Sequence, residues 1–317
     1  MANNGIKNKI FSINPHIEVF FRKAYWKNVN LLSKYVKKKR KRNNKKQNNS
    51  VDFDKIINAL KNASIDKGAL LVVHSAYGVL KNTGLSPTQI IDKLLGLVGP
   101  NGTIAMNCAR IFPEEQTVKN YSRDDPKGIA TYNMQHSKVW TGAIAQAMIE
   151  YPNAVISKFP INSMGAVGKL AGEMMHNNLC GDTACGINSS WKFCVDNNAT
   201  IVSIGTDLTH SLTMIHVAED DNPNWPVKDW YRKREYKIID NDEEIFIEVK
   251  ERRPKWGTLH FGERTLCKDL LKNGLMKSFY VDNVLVEILH ARSLIDFLYS
   301  KNSKGYPYFG IKKYLRS

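Results

Sequence analysis

The sequence predicts an α/β protein: a layered α/β/α domain with a mixed central sheet, preceded by a basic N-terminal extension. Short β-branched apolar runs alternate with runs of helical period between residues 52 and 300, the pattern of a sheet covered by helices. Positive charge is concentrated at the start, where residues 1–50 carry 14 Lys and Arg against the single acid Glu18. We therefore predict an extension over residues 1–50 and one domain over residues 51–317.

The extension begins with a predicted amphipathic helix. Apolar side chains recur at helical spacing from Ile17 to Val36, with Lys and Arg between them. The following run, residues 37–49, holds no apolar residue and is predicted to be a linker or tail. Three interpretations stay open for residues 17–46: a solvated arm, a peripheral contact with anionic lipid, or nucleic-acid binding. The aromatic side chains on one helix face favour the membrane surface over nucleic acid.

The elements of the domain follow from local periodicity and turn residues. Ser86 is a predicted N-cap, Pro87 suits a first helical turn, and Gly99 a terminator. Helices are predicted over residues 52–62, 86–98, 141–151, 164–177 and 292–300. Strands are predicted over residues 69–74, 103–107, 154–157, 200–204 and 284–289, with a hairpin over 236–250 and a charged loop over 108–138.

The most informative segment follows the strand Thr200–Ile204. After Gly205 and a polar loop, the chain enters a predicted helix on which His216 and Glu219 are i, i+3 neighbours and share a face. A carboxylate beside one imidazole nitrogen fixes the tautomer and leaves the other nitrogen free to accept a proton. The pair therefore predicts an oriented general base, with the hydroxyl of Thr213, one turn earlier, as a donor toward the reacting carbonyl or its oxyanion.

Four further segments accompany this pair in a specific order. With Thr213, His216 and Glu219, they resemble the aminoglycoside 3-N-acetyltransferase family over roughly residues 52–300. The segments are Leu70–Ala76, Val98–Met106, Ser157–Gly168 and Gly186–Phe193. The resemblance implies the same α/β fold and transfer of an acetyl group from acetyl-coenzyme A to an amine.

The resemblance also implies where the coenzyme binds. It places the pantetheine arm and pyrophosphate near Ser75, Ala76 and the segment that holds Ser157, Lys158 and Ser163. Lys158 is a candidate phosphate contact because its ammonium group acts as a point charge. No metal site is expected, since the five cysteines lack the paired C-x-x-C spacing of zinc sites.

The acceptor is predicted to be an amino sugar. The acids beside the base, Asp220 and Asp221, are candidate contacts for its ammonium groups. A cationic and aromatic stretch over residues 225–234 suits the phosphates and base of a nucleotide-linked sugar made for a surface polysaccharide. The alternative acceptor is an aminoglycoside, which would make the protein an antibiotic-resistance enzyme. The segment Ile156–Pro160 departs from the Arg-Ser-x-His-Pro pattern of the family and leaves the acceptor open.

Two other interpretations remain at this stage. Cys185 or Cys194 could carry an acyl-enzyme intermediate, or the fold could serve a membrane-tethered binding or scaffold protein without activity. Residues 1–5 lack the apolar region of a signal peptide, and no run approaches the roughly 18 apolar residues of a membrane span. The protein is therefore expected to be cytoplasmic. If the N-terminal extension binds anionic lipid, the expected position is peripheral, at the inner face of the membrane.

Overall fold

A computed structural model describes residues 6–28, 50–112 and 128–311. Its centre is a mixed sheet of seven strands: β1 (Leu70–Ser75), β2 (Thr103–Asn107), β4 (Val155–Ile156), β5 (Met164–Gly168), β6 (Thr200–Ile204), β9 (Met276–Val281) and β10 (Val284–His290). Their order across the sheet is β4-β5-β2-β1-β6-β10-β9. The three middle strands β2, β1 and β6 are parallel, whereas both flanks add antiparallel pairs.

Helices cover both faces of the sheet, which confirms the predicted α/β/α layers. The helices over the body are α3 (Phe53–Asn62), α4 (Tyr77–Leu80), α5 (Pro87–Val98), α6 (Ala143–Ile149), α7 (Ala171–Met175), α8 (Ser190–Asp196), α9 (Val217–Asp220), α10 (Pro254–His260), α11 (Glu263–Lys272) and α12 (Ala291–Asn302). On one face the alternating side chains of β1, such as Leu71 and Val73, pack against α3, α5 and α6. On the other face Leu70 and Val72 pack against α7, α8, α11 and α12.

A second sheet of three strands stands beside the first. Its strands are β3 (Ala130–Asn133), β7 (Tyr231–Asp240) and β8 (Glu243–Arg252), with β7 and β8 forming the predicted hairpin around Asn241, which has a left-handed φ of 52°. The last residue of the hairpin, Arg252, contacts Glu219, so the end of β8 lies beside the segment that follows β6.

Local sequence patterns correctly predicted most helices and strands of the domain. Ser86 caps α5 in a capping box with Gln89, and Pro87 and Gly99 stand at its two ends as predicted. The helix predicted over residues 164–177 was wrong, because residues 164–168 form the strand β5 and only Ala171–Met175 is helical. At Gly165 in β5, a Cβ atom would lie 3.0 Å from Ile156 and 3.1 Å from Cys108, so neighbouring segments of the chain pack closely here. This packing within the sheet outweighed the helical spacing of the apolar residues in the sequence.

The N-terminal residues that the structure describes pack on the body. Helices α1 (Ile6–Phe11) and α2 (Pro15–Lys27) lie against α10 and α11, and Val19 is buried there. Residues 29–49, which include the later part of the predicted helix and the basic run, lie outside the described residues. None of the helices in the described ranges is long and apolar enough to cross a bilayer.

Candidate active site

The candidate site lies at the carboxyl ends of the three parallel strands. Because these ends meet at one edge of the sheet, the residues that follow β1, β2 and β6 come together there. The segment after β6 forms two 3₁₀ turns, Leu208–His210 and Thr213–His216, before the short helix α9. This arrangement brings His216 over the sheet edge with Glu219 one turn later.

His216 and Glu219 form the predicted pair. The Nδ1 atom of His216 lies 3.1 Å from Oε2 of Glu219, and the carboxylate is 2 % exposed. An imidazole that donates from Nδ1 to this carboxylate keeps the Nε2 lone pair available for a proton. The same Oε2 accepts a second hydrogen bond, 2.7 Å long, from Nη1 of Arg252 at the end of β8. The site is therefore a row of three side chains, Arg252, Glu219 and His216.

The charges in this row fix the protonation states of the pair. Burial and then the Arg252 guanidinium lower the pKa of His216 below its usual value, although Glu219 opposes them. Burial alone would raise the pKa of Glu219, but His216 and Arg252 together hold it below its usual value. The structure thus favours a neutral imidazole beside an ionised carboxylate at neutral pH, which are the states that a general base and its orienting partner require.

Thr213 is held by a residue that the sequence did not single out. Nδ2 of Asn107 donates to Oγ1 of Thr213 over 3.1 Å, while Oδ1 of Asn107 accepts from the backbone N–H of Ala109. Because the Asn107 amide donates to the threonine oxygen, the hydroxyl proton of Thr213 can be directed elsewhere. Thr213 and His216 both line the same cleft.

The cleft encloses about 670 Å³ above the sheet edge. The segment between β6 and α9 forms its floor, while the end of β8 and the start of α11 form one wall. Trp140, which is 65 % exposed, Arg22 from α2, and Ile161, Asn162 and Ala184 also line the cleft. This volume lies in the range of pockets that bind small molecules.

The two predicted acceptor contacts point to different places. Asp220 lines the cleft and accepts from the Tyr231 hydroxyl at 2.7 Å and from the backbone N–H of Cys185 at 2.9 Å. Burial raises the pKa of Asp220 to about 6, with Arg252 opposing the shift. Asp221 instead accepts from the hydroxyl of Tyr299, and it is absent from the described cleft lining.

The five residues predicted to bind coenzyme A are not gathered in the described lining of this cleft. Ser75 ends β1 at the same sheet edge, and Ala76 follows it as the N-cap of α4. The serines Ser157 and Ser163 are buried and share hydrogen bonds with the hydroxyl of Tyr132. Lys158 forms an ion pair with Asp240 at 2.8 Å. Their contact with the coenzyme stays a prediction.

Comparison with known proteins identifies the family. The sequence model of the aminoglycoside 3-N-acetyltransferase family matches residues 72–301. The chain belongs to this family. It is an N-acetyltransferase. A search of curated proteins found no match.

Solved structures of aminoglycoside acetyltransferases share the fold. AAC-VIa bound to sisomicin is 18 % identical with a TM-score of 0.65, and the match covers 78 % of this chain and 96 % of that one. AAC-IIIb in a binary complex with CoASH is 16 % identical with a TM-score of 0.66, covering 81 % and 98 % of the two chains. AAC(3)-IIb is 18 % identical with a TM-score of 0.64, covering 81 % and 98 %. At these sequence identities the similarity establishes the fold alone.

Three cysteines of this N-acetyltransferase, Cys185, Cys194 and Cys267, are poorly suited to nucleophilic attack. Cys185 and Cys194 are fully buried, and burial raises the pKa of each thiol. Cys267 lines the cleft, but burial raises its pKa well above the usual value too. A thiolate, which is the nucleophilic form, is therefore disfavoured at all three positions.

The cationic and aromatic stretch over residues 225–234 is not an open stacking surface. Trp225 and Trp230 are buried and pack against each other with ring centroids 4.8 Å apart. Arg232 and Arg234 both pair with Glu251. The described side chains in this stretch are thus largely occupied by contacts within the protein, which removes the main sequence argument for a nucleotide-linked acceptor.

Among the residues of the cleft region that sequence reasoning missed are Asn107, Arg252, Trp140 and Arg22. Asn107 ends a parallel strand, and the rule that functional side chains follow the carboxyl ends of such strands could have found it. Arg252, Trp140 and Arg22 come from a hairpin end, a loop and the N-terminal extension. No local motif connects these three with His216.

Proposed function

We propose that this protein transfers the acetyl group of acetyl-coenzyme A directly to an amine of an amino sugar, with His216 as the general base. The observation that carries the proposal is the row of Arg252, Glu219 and His216 beside the cleft. Family membership supports the reaction class, and the CoASH complex of AAC-IIIb supports the donor. When bound, acetyl-coenzyme A supplies a thioester carbonyl as the electrophile.

Each residue has a defined part in the proposed reaction. As the acceptor amine forms a bond to the carbonyl carbon, Nε2 of His216 takes the proton that the amine loses. Glu219 stabilises the resulting imidazolium, and Thr213 donates its hydroxyl proton to the oxyanion or thioester oxygen. Collapse of the tetrahedral intermediate breaks the C–S bond, and the leaving coenzyme thiolate takes the proton from the His216 imidazolium, which regenerates the neutral base.

The acceptor we propose to test first is an aminoglycoside. AAC-VIa binds sisomicin, and a variant of AAC(3)-IVa has been seen in complex with a gentamicin. Asp220, Glu251 and Glu263 supply acidic groups in the cleft, but three cations accompany them. Since the cleft is not strongly acidic, a nucleotide-linked amino sugar for a surface polysaccharide is retained as the second class of acceptor.

A thiol-release assay with acetyl-coenzyme A tests the proposal. Sisomicin, gentamicin, glucosamine and nucleotide-linked glucosamine are the acceptors, and initial-rate lines should intersect because both substrates bind before reaction. Cys185→Ala, which removes the thiol outside the row, should leave turnover unchanged. Parallel initial-rate lines together with an isolable acetylated cysteine would overturn direct transfer. If none of the four amines caused release of the coenzyme thiol, the proposed class of acceptor would be overturned.

We also propose a peripheral contact with anionic membrane through the N-terminal extension. Phe20 and Phe21 on α2 and Ile13 before it are exposed at 67 %, 47 % and 65 %. An exposed aromatic group within a strongly basic segment suits insertion among anionic headgroups. Of residues 17–46, residues 29–46 lie outside the described ranges.

Cosedimentation with vesicles tests this contact. The full chain should sediment with phosphatidylserine-containing vesicles but not with phosphatidylcholine alone, and Phe20→Ser with Phe21→Ser should abolish binding. Phe246→Ser is the control, because Phe246 is 61 % exposed but belongs to β8 and not to the N-terminal extension. Equal recovery with both vesicle types, or with neither, would contradict the proposal.

A further inference from the structure

The helix α2 lies outside the residues that match the family, yet it packs as part of the cleft wall. Its first residue fits closely against the body, because a side chain at Gly262 would come within 2.6 Å of Pro15. Val19 is 5 % exposed, and a side chain at Gly310 would come within 3.2 Å of it. The N-terminal extension therefore contains a helix, α2, that is fitted to this domain.

Glu18 joins α2 to the start of α11. The helix α11 begins after Gly262, which has no side chain to cap it, and the backbone N–H of Arg264 donates to Oε2 of Glu18 over 3.0 Å. Glu18 is fully buried, and its other oxygen accepts from the guanidinium of Arg264. A carboxylate at this position acts as a cap supplied from another helix and suits the positive end of the helix dipole.

Arg22 continues this network into the cleft. Its Nη2 atom lies 3.0 Å from Oε1 of Glu18 and also pairs with Glu263, the first residue of α11. Arg22 and Glu263 both line the cleft. Although burial works against its charge, Glu263 and Glu18 raise the pKa of Arg22, so the guanidinium stays a cation.

The cleft consequently has balanced charges. Its described lining contains the cations Arg22, Lys250 and Arg252 and the acids Asp220, Glu251 and Glu263. Arg22 offsets the charge of Glu263 at the side of the cleft formed by α11. Without Arg22, the lining would hold one acid more than it has cations. An acceptor with several ammonium groups would then be attracted more strongly.

We propose that Arg22 is a specificity-determining residue that neutralises Glu263 and thereby limits the preference of the cleft for acceptors with several ammonium groups. The N-terminal helix thus adjusts which amines the family fold accepts. This inference rests on the proposed function in one respect, namely that the acceptor amine enters this cleft.

Four variants test the inference. Arg22→Gln should lower the KM for sisomicin relative to that for glucosamine by roughly three- to tenfold, the scale for one charge in a partly solvated cleft. Glu263→Gln should raise the KM for sisomicin relative to that for glucosamine. The variant with both substitutions should have a ratio of the two KM values close to that of the parent. Lys27→Gln removes the same charge from an exposed position on α2 and should leave the ratio unchanged.

Calorimetric Kd values for the same two ligands separate this inference from the proposed reaction. If the parent acetylates neither amine, the proposed function fails, but the Kd ratios still decide the role of Arg22. If Arg22→Gln does not fold, Glu263→Gln alone must weaken sisomicin relative to glucosamine. The inference would be overturned if the ratio of the sisomicin Kd to the glucosamine Kd were the same in the parent and in the folded variants of Arg22 and Glu263. It would also be overturned if Lys27→Gln changed this ratio as much as Arg22→Gln does.

Discussion

Replacing Arg252 by Gln should move the acid limb of the rate profile to higher pH. In the native protein, burial and Arg252 lower the pKa of His216, so the base stays neutral as the pH falls below the usual value for histidine. Loss of the guanidinium removes one of these two influences, while Glu219 continues to favour the imidazolium. The pKa of His216 should therefore rise, and more of the enzyme should be protonated and inactive at pH 6.

The magnitude follows from the geometry. Arg252 and His216 both contact Oε2 of Glu219, at 2.7 Å and 3.1 Å, so their charged groups lie within about 6 Å of each other. At an effective dielectric constant of about 20, Coulomb's law gives roughly 3 kcal/mol for two unit charges at about 6 Å. Allowing half of this for relaxation and solvent, the acid limb should move by about one pH unit to higher pH, so the loss of rate should be larger at pH 6 than at pH 8.

The assay is kcat/KM measured from pH 5 to pH 9 by thiol release. Arg253→Gln is the matched control, because Arg253 is the next residue in the chain and pairs with Asp229. At pH 8 the imidazole is neutral in both enzymes, so any remaining loss there reports the orientation of Glu219. An unchanged acid limb in folded Arg252→Gln, or the same shift in Arg253→Gln, would refute the reasoning.

Three further predictions concern other residues of the cleft. His216→Ala should lower turnover by roughly two to four powers of ten while calorimetric binding of coenzyme A persists, and normal turnover would remove the proposed mechanism. Asn107→Leu should lower kcat about tenfold with little change in KM, because Thr213 loses the donor that orients it; a purely structural effect would instead appear in the melting temperature alone. Trp140→Ala should raise the acceptor KM about tenfold and spare that of acetyl-coenzyme A, since the exposed ring offers a flat apolar surface at the cleft; a change confined to the coenzyme KM would contradict this assignment.

Local chemistry allowed much of the body to be predicted. The capping box at Ser86 and the turn at Asn241 depend on residues close together in the chain, so α5 and the β7–β8 hairpin were predicted. His216 and Glu219 were also found from their spacing, because three residues of helical or 3₁₀ backbone bring them to one side. Their chemical role in this chain remains a proposal.

Several elements were missed because long-range packing decides them. The Gly-rich run Met164–Gly168 became a strand through its pairing with β2, and the strand Ala130–Asn133 pairs with a strand a hundred residues later. The strand Met276–Val281 and the helix Glu263–Lys272 were also not predicted from the sequence. For the first two strands the free energy comes from partners that are distant in sequence, whereas Met276–Val281 forms a tight hairpin with Val284–His290.

The sequence by itself determined the layered α/β class, the position of the His216–Glu219 pair and the basic character of the first 50 residues. Only the tertiary structure placed Arg252 on Glu219, Asn107 on Thr213 and Arg22 on Glu263. Periodicity and caps are properties of neighbouring residues, whereas the charge around a buried imidazole depends on which distant side chains folding brings within a few ångströms. The His216–Glu219 pair could therefore be predicted from the chain, but the pKa of His216 and the charge of its cleft could not.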